Sequence, residues 1–194
     1  MQAGHRADAY RILAECYHSP DDEFLQALGG LEVGPNAAVD QLVHAAATVD
    51  LEKLQIDHAR LFIGPYKLLP PPYGSIYLED GALMGNSTMN VEDFYRKEGM
   101  EASGQEVPDH ITAELEFMCV LIARESEAAK TDDTESVDNY RQKQKTFLSI
   151  HLGAWIAEFT DKIRQEAQTE FYKTLGCVTE QFLRQDIELL SADH

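Results

Sequence analysis

Residues 61–80 read LFIGPYKLLPPPYGSIYLED, a composition found nowhere else in this 194-residue chain. Four of the seven prolines fall here, Pro65, Pro70, Pro71 and Pro72, interleaved with Tyr66, Tyr73 and Tyr77. Proline fixes φ and removes a backbone donor, so the helix carrying Leu61 and Phe62 has to close at Gly64-Pro65. The stretch predicts an extended, stiff loop over 63–86. Aromatic side chains on a stiff backbone lose little entropy when something docks on them, which marks the loop as a recognition surface.

On either side of the loop, apolar residues recur at helical spacing. Tyr10, Leu13 and Tyr17 define a first helix, and Ser19-Pro20 reads as N-cap and first position of a second that runs from Asp21 to Leu28 and closes at Gly29-Gly30. Asn36 caps a third with Val39, Leu42, Val43 and Ala46 inside, and Asp50 a fourth whose inner face is Leu54, His58, Leu61 and Phe62. Beyond the loop, Asn86 or Ser87 opens a helix with Val91, Phe94 and Tyr95 inward that stops near Gly99. Pro108 opens another, striped by Ile111, Leu115, Met118 and Ile122 and ending near Lys130. The acids of TDDTES favour a helix start, and Val137, Tyr140, Phe147 and Leu148 carry that helix inward. Leu152, Trp155, Ile156, Phe159 and Ile163 mark the next helix, and Phe171, Leu175, Val178 and Phe182 the last. No strand-like alternation of useful length is present. The expectation is an all-α, single globular domain over 1–194 with eight to nine helices and a hinge at 103–107.

Sixteen Lys and Arg against 34 Asp and Glu give a net charge of −18, spread as −8 over residues 1–100 and −10 over 101–194. Such a field disfavours nucleic acid and anionic lipid and favours a basic peptide, although acidity serves solubility as well. Cys16, Cys119 and Cys177 are widely spaced and sit among apolar neighbours, so buried free thiols in a reducing compartment are expected and no zinc site is. The longest apolar run, Phe117 to Ala123, is too short to span a bilayer, the N-terminus lacks a hydrophobic signal region, and no Arg-Arg pair occurs. The expected location is the cytoplasm.

Enzyme motifs are missing: no phosphate loop, no G-x-G-x-x-G, no H-E-x-x-H, and no second glycine after Ser75 to make a nucleophile elbow. Asp109-His110 offers two partners of a dyad with no third. Taken alone, Asp109 reads as a helix-start carboxylate and His110 as a surface imidazole.

The blocks LFIGPYKLLPPPYGSIYLED, MGNSTMNVEDFYRKEGM and VPDHITAELEFM, continued by HLGAWIAEF and EFYKTLG, resemble the TorD/DmsD family of cytoplasmic chaperones for molybdenum-containing oxidoreductases. The likeness runs from about residue 54 to residue 182. It implies a non-catalytic, TorD-like, all-helical protein that binds the twin-arginine leader of a redox enzyme and holds the precursor from export until molybdopterin is inserted. The resemblance carries the binding role onto Tyr66, Pro72, Tyr73, Ser75, Tyr77, Asp109 and His110, with Gly85 nearby. The molybdopterin would belong to the client, contact with the export machinery would be transient, and the chaperone would be a monomer or a domain-swapped dimer. Two alternatives belong to the same superfamily: a chaperone of the client's mature body, as in nitrate-reductase assembly, and a weak guanine-nucleotide-binding or hydrolysing protein.

The residues support the leader reading in their own terms. A twin-arginine leader has a cationic start and an apolar middle, and so needs carboxylates beside an aromatic or apolar groove. Asp109 comes first as a guanidinium partner, followed by Glu79 and Asp80, and His58, Leu61 and Phe62 are further candidates for contact with the leader. Ordering a disordered leader costs on the order of 2 to 5 kcal/mol, so a dissociation constant near 1 μM, about −8 kcal/mol, is the natural scale. The tyrosines, where some relatives have tryptophans, leave the identity of the client open.

Overall fold

A computed structural model describes residues 3–31, 37–64, 68–100 and 107–192, and ten α-helices lie among them. They are α1 Ala3–Tyr17, α2 Asp22–Gly29, α3 Ala37–Ala46, α4 Leu51–His58, α5 Gly74–Leu78, α6 Asn86–Lys97, α7 Ile111–Lys130, α8 Thr134–Ile150, α9 Leu152–Glu166 and α10 Glu170–Ala192. The described residues are all-α apart from one isolated antiparallel bridge, Tyr73 to His110. Tyr66, the cap Asn36 and residues 103–106 of the expected hinge lie outside the described residues.

Caps decide most boundaries. Asp50 accepts from the amide of Lys53 and Asp133 from that of Ser136, each satisfying an orphan donor of the first turn. Three starts differ from expectation. Asp21, not Ser19, caps α2 by accepting from Phe24 N at 2.7 Å, because its side chain stands in extended backbone one residue before the helix. Helix α7 starts at Ile111 rather than Pro108, since residues 107–110 form a turn closed by His110 N donating to Val107 O. The start of α6 takes its cap from Glu79, whose carboxylate accepts from the amides of Asn86 and Ser87. Gly85 makes this reach possible: a Cβ there would stand 2.1 Å from Glu79 Oε2. The fourth helix ends in a π turn, Ala59–Ile63, closed by Gly64 N on Ala59 O.

The long helices pack in chain order, α7 on α8, α8 on α9, α9 on α10, with α1 laid along α7 and α3 on α10. Trp155, Tyr10, Tyr172, Phe117, Phe147, Phe159, Phe171 and Phe182 are fully buried in one continuous apolar core. Cys16 lies in that core, but Cys119 is half-buried and Cys177 exposed, so the expectation of three buried thiols holds for the first alone. A helix of this length buries only a stripe, and Cys177 falls between the inward residues Leu175 and Val178.

Inside the core, Arg6 of α1 forks onto Asp186 of α10, with Nε to Oδ1 at 2.5 Å and Nη2 to Oδ2 at 2.9 Å. Tyr10 Oη donates to the same Asp186 oxygen at 2.8 Å. Gln144 of α8 accepts from Arg6 and donates to Glu125 of α7, which also takes Arg141 at 2.8 Å. Four helices thus share one buried ion cluster.

His151, at the junction of α8 and α9, is buried against Phe94 and Phe147, and neither ring nitrogen has a partner. Burial pulls its proton affinity down to about 4, a fall partly offset by Asp109. Because the folded value lies below the ordinary 6.5, the stability this group confers is complete above 6.5 and is lost as pH falls toward 4. Urea midpoints should therefore drop over that window, and His151→Phe should flatten the drop. Asp186→Ala should cost about 3–5 kcal/mol at neutral pH, since it strands a buried guanidinium, and urea unfolding followed by circular dichroism measures it.

Candidate functional site

The proline-rich segment is less extended than its composition predicts. Residues 68–73 run as a strap over the start of α7, and the chain then turns into the one-turn helix α5. Three hydrogen bonds fasten it. Ile111 N donates to Pro72 O at 2.9 Å and Gly74 N to Asp109 O at 2.9 Å, the two bonds that make the Tyr73–His110 bridge, and Ser75 N donates to Asp109 Oδ2 at 2.6 Å. Proline can enter this pairing because Pro72 contributes only its carbonyl.

Asp109 is 1% exposed and its carboxylate faces the strap, not solvent. Its Oδ1 is buried without a partner. The residue ranked first for a guanidinium is, in this conformation, the fastening of the strap. Ser75 is equally buried, and its hydroxyl accepts from Met84 N at 3.3 Å, tying down the turn that follows α5.

His110 caps α7. Its Nδ1 lies 2.6 Å from Thr112 Oγ1 and takes the Thr112 amide at 3.3 Å, so the ring proton belongs on Nε2. Burial, helped by His18, draws its proton affinity down to about 4, against the opposing pull of Asp109 and Glu116. The neutral ring stands edge to face on Tyr73, with centroids 5.2 Å apart.

On its other side α5 meets α9. Tyr77 stacks on Trp155 with centroids 5.4 Å apart and planes 18° from parallel, and Lys162 Nζ lies 4.5 Å from the Tyr77 centroid. Gly74 has to be glycine, because a Cβ would come within 2.9 Å of Trp155 Nε1 and 3.1 Å of Glu114 Oε1. Trp155 donates to Glu114 at 3.3 Å, and burial pushes the Glu114 carboxyl well above the usual carboxylate range.

The structure brings Pro72, Tyr73, Ser75, Asp109 and His110 together at the strap. Tyr77 lies on the far side of α5, its hydroxyl buried without a partner. His58, Leu61 and Phe62 are core residues: His58 Nε2 donates to Tyr17 O at 3.2 Å, and its ring packs on Phe62. Glu79 and Gly85 serve the α6 cap, and Asp80 is exposed with a φ of 49°. Periodicity did not single out the surface beside them. Leu69, Leu78, Leu83, Met84 and Met89 are exposed, Met84 by 66% and Met89 by 64%, and they are five of the eight large apolar side chains exposed among the described residues. Leu83-Met84 in a turn, away from any apolar stripe, was the signal in the sequence. Among the described residues no group of His, Cys, Asp and Glu is arranged to hold a metal, and no helix is long and apolar enough to cross a membrane.

The family model described as nitrate reductase delta subunit matches residues 30–161. A perchlorate reductase assembly chaperone protein from Dechloromonas aromatica is 29% identical over 140 residues, 68% of this chain and 61% of that protein. The Tat proofreading chaperone DmsD of Salmonella typhi is 33% identical over 120 residues, 60% of this chain, and the match spans 52% of its length. In fold, the chain is similar to the crystal structure of an Archaeoglobus fulgidus protein assigned to redox enzyme maturation, with a TM-score of 0.62 at 24% identity over 95% of this chain and 96% of that one. These relatives carry the names of chaperones or assembly and maturation proteins, none that of an enzyme. The chain belongs to the nitrate reductase delta subunit family, which is the family of the TorD/DmsD redox-enzyme maturation chaperones.

Proposed function

We propose that this protein is a cytoplasmic, non-catalytic chaperone that binds the twin-arginine leader of a molybdenum-containing oxidoreductase and holds the precursor from export until cofactor insertion and folding are complete. One observation carries the reading: the exposed apolar side chains at 69–89, spread over the strap, the end of α5, the turn after it and the first turn of α6, with the strap and turn fastened from beneath. An exposed apolar group of this kind needs a partner, and methionine and leucine adapt to the irregular side chains of a leader's apolar stretch. The chain's charge of −18 suits the leader's cationic start.

The buried position of Asp109 alters its role in this scheme. It shapes the surface from below, and a guanidinium would reach Oδ1 only if the strap lifted off Gly74 and Ser75. Carboxylates at the protein surface, Asp80 among them, provide the direct attraction.

The two roles separate experimentally. Leu83→Ser with Met84→Ser should weaken a leader peptide about tenfold or more in calorimetry with the melting temperature unchanged, because neither side chain supports the core. Asp109→Ala should lower melting temperature and affinity together, since it frees the amide of Ser75 that it now holds. Capture of the leaderless client body at full strength, with no binding of the peptide, would replace the leader reading with one of mature-body chaperoning. Stopped-flow association should slow as salt rises from about 0.05 to 0.5 M while dissociation changes little. An association rate indifferent to salt would remove the charge argument.

A further inference from the structure

A concave surface lined by none of the strap residues lies between α1 and α2. This cleft holds about 440 Å³, within the range of about 300 to 1,000 Å³ common to ligand sites. Its floor is apolar: Ile12 and Leu28 belong to the core, and Phe24 meets Phe171 edge to face at 6.1 Å. Its rim carries three carboxylates, Glu15, Asp21 and Glu23. Asp21 is committed to the cap of α2, whereas the side chains of Glu15 and Glu23 make no hydrogen bond or ion pair among the described residues. Arg11 also lines the cleft and stands 3.9 Å from Asp8 on its own helix, so the rim retains an excess of negative charge.

His18 connects this cleft to the strap. It lines the cleft, its Nε2 lies 3.7 Å from Glu116 Oε1 on α7, and it is close enough to His110 to be felt electrostatically by that ring. An apolar floor with an acidic rim suits a basic segment that also carries apolar side chains, and a planar guanidinium pairs with two carboxylates better than an ammonium does.

We propose that the α1–α2 cleft holds the arginine-bearing part of the leader whose apolar stretch lies on the strap, with a guanidinium between Glu15 and Glu23 and a neighbouring apolar side chain on Ile12 and Phe24. This rests on the leader reading above and gives the cationic start a place of its own, separate from Asp109. The partner is recognised by two features at once, charge at the rim and apolar bulk at the floor.

Calorimetry on the full chain would compare a synthetic twin-arginine leader with the same peptide carrying glutamine in place of both arginines. The wild-type protein should prefer the arginine peptide. Glu15→Gln with Glu23→Gln should erase roughly three- to tenfold of that preference, the scale of two rim ion pairs, and should bind the glutamine peptide as the wild type does. If the double variant keeps the full preference, the cleft assignment falls and the leader reading stands. If the wild type binds neither peptide, both fall. A photoreactive group beside the arginine pair gives an independent readout: crosslinks within residues 11–31 support the cleft, and crosslinks confined to 69–89 overturn it.

Discussion

A guanidinium in an apolar interior is tolerable only if every face of it is answered, and Arg6 is answered by Asp186, Gln144 and Glu125. That requirement fixes α1 against α10, α8 and α7 in one arrangement. Everything at the candidate site is hung from this frame. Helix α7 presents Asp109 and His110 at its start, α1 lies along α7 and carries His18 at its end, and α9 offers Trp155 as the platform for Tyr77. An apolar core alone would let these helices slide by a fraction of a turn. The buried fork does not, because hydrogen bonds are directional where hydrophobic contact is not.

At the start of α7 and at the α8–α9 junction the protein accepts costs that a purely structural design would avoid. Asp109 keeps an oxygen buried without a partner, His151 keeps two nitrogens so, and Glu114 stands buried beside Trp155. Asp109 and Glu114 lie directly under Gly74 and Ser75, so their cost is borne only while the strap is closed, and water admitted by its opening would relieve it. The strap is held mainly by backbone hydrogen bonds and by one carboxylate, with Tyr77 and Trp155 supplying the apolar share on the α9 side. A segment fastened in this way keeps its shape without sinking into the core, and so leaves its outer face available.

The helices were legible in the sequence wherever an apolar stripe of three or four turns faced the core, as in Leu152, Trp155, Ile156, Phe159 and Ile163, every one of which is buried. The Asp50 cap was legible beside its helix and the acids around Asp133 marked the start of α8, whereas Asp21, just as close to α2, was masked by Ser19-Pro20 before it. Caps that came from a distance were not legible: Glu79 reaches α6 across Gly85, and Asp57 holds the amides of Gln168 and Thr169 at the start of α10. Helix α5 was hidden by the prolines before it, and its first amides, Gly74 and Ser75, are satisfied from a distance by the carbonyl and carboxylate of Asp109. At the candidate site, residue types gave part of the grouping that the structure shows and misjudged its depth. Tyr73 and His110 do meet, yet Ser75 and Asp109 lie beneath the surface, and His58, Leu61 and Phe62 belong to the core. Spacing along a chain says which groups are near one another, while their exposure depends on what the rest of the chain lays over them.

The turn from Glu79 to Asn86 is closed at one end by the Glu79 carboxylate and in its middle by Ser75 accepting from Met84. Its backbone is therefore held by groups other than the side chains it displays. Leu83 and Met84 can be exchanged for other residues with little consequence for folding, which separates the selective pressures on the two layers. The tip of such a turn is free to vary by drift without loosening the Glu79 and Ser75 anchors that hold its backbone.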